Sequence, residues 1–222
     1  SGPFASKSRP PIMKITATSN MIIEGGAAVS EDMPVLKIIT PAEVSSLNLD
    51  PVDPEARVQA KAIIDDVKAG GKDALVKQAV RLGDLQSETD ALLLGPAEMK
   101  EAFDSLPEED RQVLVRMTER VKVFALAQLG AVGNTSSPIP GGVAGHTISP
   151  VATAGCYAPG GRYPLPSSVI MTAVTARAAG VGKVVVASPR PGAATVAAAH
   201  AAGADMLMCI GGAQVVAAMA YG

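Results

Sequence analysis

Three short apolar runs in the last third of the chain alternate with longer stretches of helical periodicity. The runs cover residues 151–157, 183–188 and 205–210, and helical patterns occupy about 167–179, the Ala-rich stretch that precedes the third run, and the residues from Gln214 onward. Apolar runs of this length that alternate with helices are typical of consecutive βαβ units and a parallel sheet. The pattern therefore predicts an α/β fold with a βαβαβα unit at the carboxyl end of the chain.

A helical segment precedes this unit. Asp53-Pro54-Glu55 combines an N-cap residue, proline at the first helical position and an acid in the first turn, so it predicts a helix that ends at Gly70-Gly71. Further helices are predicted over 73–82, from Pro96, and from the Ser105-Leu106-Pro107 start to Gly130. The last of these is predicted to be the longest and to face the core with a stripe of Val113, Met117, Val121, Phe124 and Gln128.

The remaining stretches indicate how the chain is divided. Residues 1–50 are interrupted by Pro-Pro, Gly-Gly and a further proline, and only residues 35–39 form a candidate strand. Residues 130–145 are rich in Gly, Ser and Pro, which is typical of a linker. We therefore predict an irregular N-terminal arm over 1–50, a mainly helical segment over 51–145, and an incomplete Rossmann-like nucleotide-binding unit over 146–222.

Composition excludes several classes of protein. Hydrophobic residues make up 48% and charged residues 18%, which indicates a globular chain, and a net charge of −2 gives no general attraction to nucleic acid or anionic membrane. No unbroken apolar run approaches the length of a membrane span. Residues 151–222 carry one acid, Asp205, and four basic residues: Arg162, Arg177, Lys183 and Arg190. This balance suits a phosphate-bearing ligand at the sheet edge, and it equally suits a mostly buried βαβ region with few charges.

Two features bear on the cellular compartment. Cys156 and Cys209 lie in or beside predicted strands, as is typical of free thiols in a reducing compartment. Residues 1–23 contain basic and hydroxyl residues and no acid, which is typical of the flank of an organelle transit peptide and also of an expression remnant. The expectation is a soluble intracellular protein, in the plastid stroma or otherwise in the cytoplasm.

The candidate binding residues lie where predicted strands end. Gly160 and Gly161 could direct backbone N–H groups at an anion, or they could simply permit a tight turn. Gln214, beside Gly211-Gly212, is a side-chain amide at a helix start, which suits nucleotide binding and contributes little to packing. His146 and His200 stand in unrelated contexts, so no metal-ligand spacing is present, and no Ser-His-Asp or Cys-His arrangement is evident.

Two segments carry a family resemblance. YAPGGRYPLPSSVIMTAVTARAAGVGKVVVASPRP, which begins at Tyr157, and ADMLMCIGGAQVVAAMAYG, which ends at Gly222, resemble histidinol dehydrogenases, and residues 53–128 are more loosely similar. The resemblance implies that Tyr157 and Gln214 contact NAD. A third contact in the family, an Asn in a GPGN block, would follow Gly222.

The resemblance also implies a reaction, the NAD-dependent oxidation of histidinol to histidine through the aldehyde. Zinc and a Glu-His acid/base pair belong to the part of the family sequence that would follow Gly222, so zinc is expected only if the chain continues. The expectation is that this chain carries the NAD-binding half of the enzyme.

Two other functions stay open, and so does the choice of partner. The chain could be an inactive, truncated relative that serves as a docking subunit, or an enzyme for a different polar alcohol, because Arg162-Tyr163 departs from the Thr-Ala often found in the family. A homodimer is implied for the full-length enzyme. Otherwise a protein partner is expected to cover Val215 to Tyr221, since this last helix carries no charge.

Overall fold

A computed structural model describes residues 52–160 and 163–222. The predicted arm over 1–50, its candidate strand at 35–39, and the site candidates Gly161 and Arg162 lie outside the described residues. The three-part division of the chain therefore stays a prediction.

The described part opens with helix α1, Pro54–Arg81. The Asp53 carboxylate caps it by accepting hydrogen bonds from the Glu55 and Ala56 amides at 2.7 and 3.2 Å. Gly71 breaks the helix with φ 56° and ψ −138°, a left-handed conformation that favours glycine. The predicted helix start and the predicted interruption at Gly70-Gly71 are both confirmed.

Helices α2 (Pro96–Asp104) and α3 (Glu108–Gly130) follow. Helix α3 takes Pro107 as its N-cap, two residues later than the predicted start. The predicted core stripe is right for Met117 and Val121, which pack against the core. It is wrong for Val113, Phe124 and Gln128, which are exposed, whereas Leu114 and Ala125 are buried. Met117 and Val121 belong to two overlapping apolar stripes on this helix, the predicted one and one that contains Leu114 and Ala125. The second stripe packs against the neighbouring helix at Pro166–Ala178.

A β-hairpin occupies the stretch that was expected to be a linker. Strand β2 (Thr135–Ile139) pairs antiparallel with β3 (Gly142–His146), and all ten residues are exposed. Gly141, with φ 84°, makes the turn between them. The linker interpretation of 130–145 is wrong because the turn glycines connect two paired strands.

The main sheet has four strands, which lie at 93–94 (β1), 153–157 (β4), 183–187 (β5) and 206–208 (β6), in the order β1-β6-β5-β4. Strands β4 (Thr153–Tyr157), β5 (Lys183–Ala187) and β6 (Met206–Met208) are parallel, with Cys156 opposite Val186 and Val186 opposite Leu207. Helices α4 (Pro166–Ala178), α5 (Ala193–Ala201) and α6 (Gly212–Tyr221) follow these strands in turn. This confirms the predicted βαβαβα unit. The short strand β1 (Leu93–Leu94), antiparallel to β6, was not predicted.

Helices cover both faces of the sheet. On one face Cys156, Val186 and Leu207 are buried with apolar residues of α2 to α5. On the other, Ala187 and Ile210 pack with α1 and α6. Alternate residues along each strand thus contribute to two separate cores, as in other three-layer α/β folds.

The uncharged last helix is covered in part by the chain itself. In α6, Val215 is fully buried and Ala217 is buried against residues of α1, whereas Val216 is 49% exposed. The expectation that a partner covers the whole of Val215 to Tyr221 is therefore wrong for the buried side of this helix. Helix α1 supplies that cover.

Two further findings concern the described residues. None of their helices is both long and apolar enough to cross a bilayer. Cys156 and Cys209 are both free thiols.

Candidate nucleotide-binding edge

Three loops meet at the carboxyl edge of the parallel sheet. They follow Tyr157 at the end of β4, Ala187 at the end of β5 and Met208 at the end of β6. In open α/β sheets ligands bind in the crevice at this edge, because the loops there connect strands to helix N-termini. The edge is therefore the place to look for a binding site.

Pro189 holds the first and third loops close together. A Cβ on Gly160 would lie 2.6 Å from the carbonyl oxygen of Pro189, and a Cβ on Gly211 would lie 2.6 Å from the Pro189 Cβ. Real side chains do not approach so closely, so both positions require glycine. Gly160 and Gly211, from two separate glycine-containing blocks, therefore lie against the same proline.

Two side chains bind the backbone at the start of α6. The Gly211 amide donates to the Asp84 carboxylate at 3.0 Å. The next amide, from Gly212, donates to the Tyr157 hydroxyl at 3.4 Å, a long contact. Gly212 has φ 65°, a conformation that few other residues adopt. Tyr157 and Asp84, which come from distant parts of the sequence, therefore meet at one glycine pair.

The Gln214 side chain is enclosed at the same point. Only 1% of the residue is exposed, and its Nε2 donates to Asp84 at 3.2 Å. Its Oε1 is buried and has no hydrogen-bond partner. Buried amide oxygens are rarely left without a donor. The expectation that Gln214 contributes little to packing is wrong. Because its Oε1 lacks a hydrogen-bond donor, Gln214 is nevertheless a stronger candidate for a ligand-binding residue.

The structure thus brings together three of the four predicted site residues. Tyr157 and Gln214 meet at Gly212, Gly160 lies against Pro189 beside Gly211, and Gly161 falls outside the described residues. A role for these residues in NAD binding stays a prediction. Sequence reasoning missed Asp84 and Pro189. Only Pro189 carries a signal, since Pro-Arg-Pro follows directly after a predicted strand.

Of the three described basic residues in 151–222, two lie at the opposite, amino edge of the sheet. Arg177 donates to the carbonyls of Gly203 and Gly182, each at 2.8 Å, and pairs with Asp205. Lys183 begins β5 at this amino edge. Arg190 is the exception: it is exposed after β5 at the carboxyl edge, with φ 45° between two prolines. The sequence suggested that these basic residues lie at the ligand-binding, carboxyl edge of the sheet. This is correct for Arg190 and wrong for Arg177 and Lys183.

Asp205 is the acid in this amino-edge network. The Val184 amide, which donates to it at 2.7 Å, and the Arg177 guanidinium lower the pKa of the Asp205 carboxyl below its ordinary value. Both contacts favour the ionised form. Arg177 and Asp205 thus pair with each other and with backbone groups around them, and these contacts link α4, β5 and β6.

The thiols and histidines offer no reactive centre. Burial raises the pKa of the Cys156 and Cys209 thiols, so neither is activated as a thiolate. His200 stacks at a tilt on Phe103 with ring centroids 5.2 Å apart, as expected of a packed histidine. His146 is exposed and contacts the Gly133 carbonyl. Across 52–160 and 163–222, no three His, Cys, Asp or Glu side chains are grouped so as to hold a metal ion.

A cavity of about 410 Å³ lies elsewhere, on the sheet face between α1 and α6. Its lining is mainly apolar, with Lys68, Lys72 and Lys183 among it, and it includes none of Tyr157, Gly160 and Gln214. The cavity is therefore distinct from the carboxyl-edge site.

Comparison with known proteins supplies the family. The model of the histidinol dehydrogenase family matches residues 50–222, which is well over half of the chain. This chain belongs to the histidinol dehydrogenase family. Among its curated relatives, histidinol dehydrogenase of Dechloromonas aromatica is 39% identical over 165 residues, covering 72% of this chain and 38% of the relative.

One further relative has a different name, and one solved structure is more distant in sequence. Sulfopropanediol 3-dehydrogenase of Ruegeria pomeroyi is 37% identical over 168 residues, covering 73% of this chain and 38% of that protein. The crystal structure of histidinol dehydrogenase from Elizabethkingia anophelis matches with a TM-score of 0.69 at 21% identity, covering 83% of this chain and 43% of that one. That likeness shows the fold. The chain spans about two fifths of the length of these family members.

Proposed function

We propose that this chain binds NAD at the carboxyl edge of its sheet and forms the NAD-binding half of a histidinol dehydrogenase-type oxidoreductase. The observation that carries the proposal is the unpartnered, buried Oε1 of Gln214 beside Tyr157 and the glycine pair. A buried acceptor without a donor is costly unless a bound molecule supplies the donor. Membership of the family supports NAD as that molecule.

The residues at this edge fit such a ligand. Gly160 and Gly212 are exposed where a dinucleotide would approach, and Tyr157, which is 36% exposed, offers a ring and a hydroxyl beside Gly212. Arg190 is exposed at the same edge and would pair with a phosphate. When bound, NAD supplies a hydride acceptor, while these residues bind and orient it.

The family reaction proposed for the whole protein is the oxidation of L-histidinol to L-histidine in histidine biosynthesis. No group of described residues fits zinc, so no step through zinc is derived from them. The similarity to a sulfopropanediol dehydrogenase supports a second polar alcohol as the alternative substrate. The two free thiols support a reducing compartment.

A docking role is the second candidate. Helix α3 exposes a set of large apolar side chains along its length: Val115, Val123, Phe124, Leu126 and Leu129. An exposed apolar surface on one helix is typical of a face that another protein surface covers. In the oxidoreductase proposal this cover is a second subunit of a homodimer or further parts of the enzyme; in the docking proposal it is a different protein, and NAD does not bind.

Calorimetric titration of the chain with NAD tests the proposal. Gln214→Met keeps the length of the side chain and removes its amide, so we expect NAD affinity to fall at least about tenfold, or 1.4 kcal/mol. Gln128→Met, on the exposed end of α3, is the matched control and should bind NAD as the wild type does.

Two results would count against the proposal. Unchanged NAD affinity in Gln214→Met, with its fold verified by circular dichroism, would remove Gln214 from the site. A wild-type chain that binds no NAD while it binds a partner protein would favour the docking role.

A further inference from the structure

The start of helix α6 is already engaged by a carboxylate. Asp84, in the loop after α1, accepts from the Gly211 amide at 3.0 Å and from Gln214 Nε2 at 3.2 Å, both through its Oδ2. Gly211 is the N-cap of this ten-residue helix. Helix N-termini attract anions because their first N–H groups lack partners within the helix. Here a side chain of the protein occupies that position.

We propose that Asp84 is a specificity-determining residue, which makes the start of α6 recognise an uncharged hydroxyl group of the nucleotide, such as a ribose hydroxyl, and reject a phosphate. The inference rests on the proposed function, because it concerns the same site. In this proposal a ligand hydroxyl donates a hydrogen bond to Gln214, and Asp84 selects that hydroxyl over a phosphate.

The Asp84 carboxylate fixes the orientation of the Gln214 amide. An ionised carboxylate can only accept hydrogen bonds, so Gln214 must turn its Nε2 toward Asp84. This leaves Oε1, which is buried next to Gly212, as the acceptor that still lacks a hydrogen-bond donor. Since Oε1 only accepts, the ligand must present a hydrogen-bond donor. A hydroxyl group meets this requirement, whereas an ionised phosphate does not.

The charge of the Asp84 carboxylate disfavours a phosphate at the same point. Within the described part of the chain, the Asp84 carboxylate accepts hydrogen bonds from Gly211 and Gln214 and forms no ion pair. The carboxylate is only half-buried and no basic side chain neutralises it. A phosphate group brought to this point would meet an uncompensated like charge. A free hydroxyl would instead gain an acceptor.

The amide orientation and the carboxylate charge together predict discrimination between dinucleotides. NAD carries free ribose hydroxyls, whereas NADP carries a phosphate on one of them. An acidic residue that accepts from a ribose hydroxyl favours the first and repels the second. Asp84 should therefore set the ratio of the two affinities, and a purely structural role would change both affinities together.

The experiment is a calorimetric titration of the full chain with NAD and with NADP. Asp84→Asn keeps an oxygen acceptor for the Gly211 amide and removes the charge, and the Gln214 amide can then turn over to accept from the new Asn. We expect the wild type to bind NAD at least tenfold more tightly than NADP. Asp84→Asn should reduce that ratio about tenfold, mainly through tighter NADP binding.

Asp66→Asn is the matched control, because Asp66 also accepts from a glutamine amide, that of Gln78 at 2.6 Å, on the exposed surface of α1. It should leave the ratio unchanged. If the wild type binds NAD and the ratio is unaltered in Asp84→Asn, this inference is overturned and the proposed function stands. If the wild type binds neither dinucleotide, the proposed function fails and the inference fails with it.

Discussion

The two edges of the parallel sheet use their polar groups in opposite ways. At the amino edge, Arg177 and Asp205 bind each other, and the carbonyls and amide around them complete the network. At the carboxyl edge, Asp84 and Tyr157 hold the glycine turn, but the Gln214 Oε1 remains without a donor. A closed network contributes to stability, whereas an open acceptor points to a ligand.

Net charge alone predicts a different binding site. The excess of basic residues in 151–222 predicts an anion site at the carboxyl edge, yet Arg177 and Lys183 lie at the amino edge. The candidate ligand-binding group at the carboxyl edge is instead the uncharged side-chain amide of Gln214. Which polar group is unpartnered is therefore more informative here than the net charge of the region.

The largest effect is expected from Arg177→Met. This change removes the donors to the carbonyls of Gly203, Val181 and Gly182 and leaves Asp205 without its cation. Loss of several charge-assisted hydrogen bonds from a mostly buried side chain should lower the free energy of unfolding by about 3 kcal/mol. Urea denaturation measures this, and NAD affinity under folding conditions should not change.

Arg116→Met on the exposed side of α3 is its control and should be within about 0.5 kcal/mol of the wild type. A loss of NAD affinity in Arg177→Met, with little loss of stability, would reverse the roles assigned to the two edges.

A smaller, pH-dependent effect is expected from Asp205→Asn. The lowered pKa of Asp205 means that its charged form stabilises the fold above the ordinary value of 3.8, and that this contribution is lost as pH falls below that value. Because the side chain is 43% exposed, the difference between wild type and variant should be about 1 kcal/mol near neutral pH.

That difference should shrink toward zero as the solution is acidified below the ordinary pKa. Urea denaturation of both proteins at several pH values measures it. A difference that persists undiminished at the lowest pH would mean that Asp205 acts through its shape and not through its charge.

The βαβαβα unit could be predicted from the sequence because its signals are local. Apolar runs, helix periods and turn glycines each act within a few residues, and the Asp53 cap and the Gly71 break are equally local. The predicted meeting of Tyr157, Gly160 and Gln214 at one edge followed from the rule that parallel strands share a carboxyl edge.

The features that were missed depend on distant contacts. Asp84 reaches Gln214 across 130 positions, and nothing near Asp84 in the sequence indicates it. Helix α3 carries two overlapping apolar lines, and only packing against α4 shows that Leu114 and Ala125 are inside. The β2–β3 hairpin has no buried side chain, so it lacks the alternation that identifies strands.

The central claim is that the carboxyl edge binds the dinucleotide and the amino edge only stabilises the fold. Amide chemical shifts of ¹⁵N-labelled chain during titration with NAD test it most directly. We expect saturable shifts at Gly160, Gly211, Gly212 and the Gln214 side-chain amide, with the signals of Gly182, Val184 and Gly203 unchanged. Shifts concentrated at the amino-edge amides, or no saturable shifts at all, would contradict it.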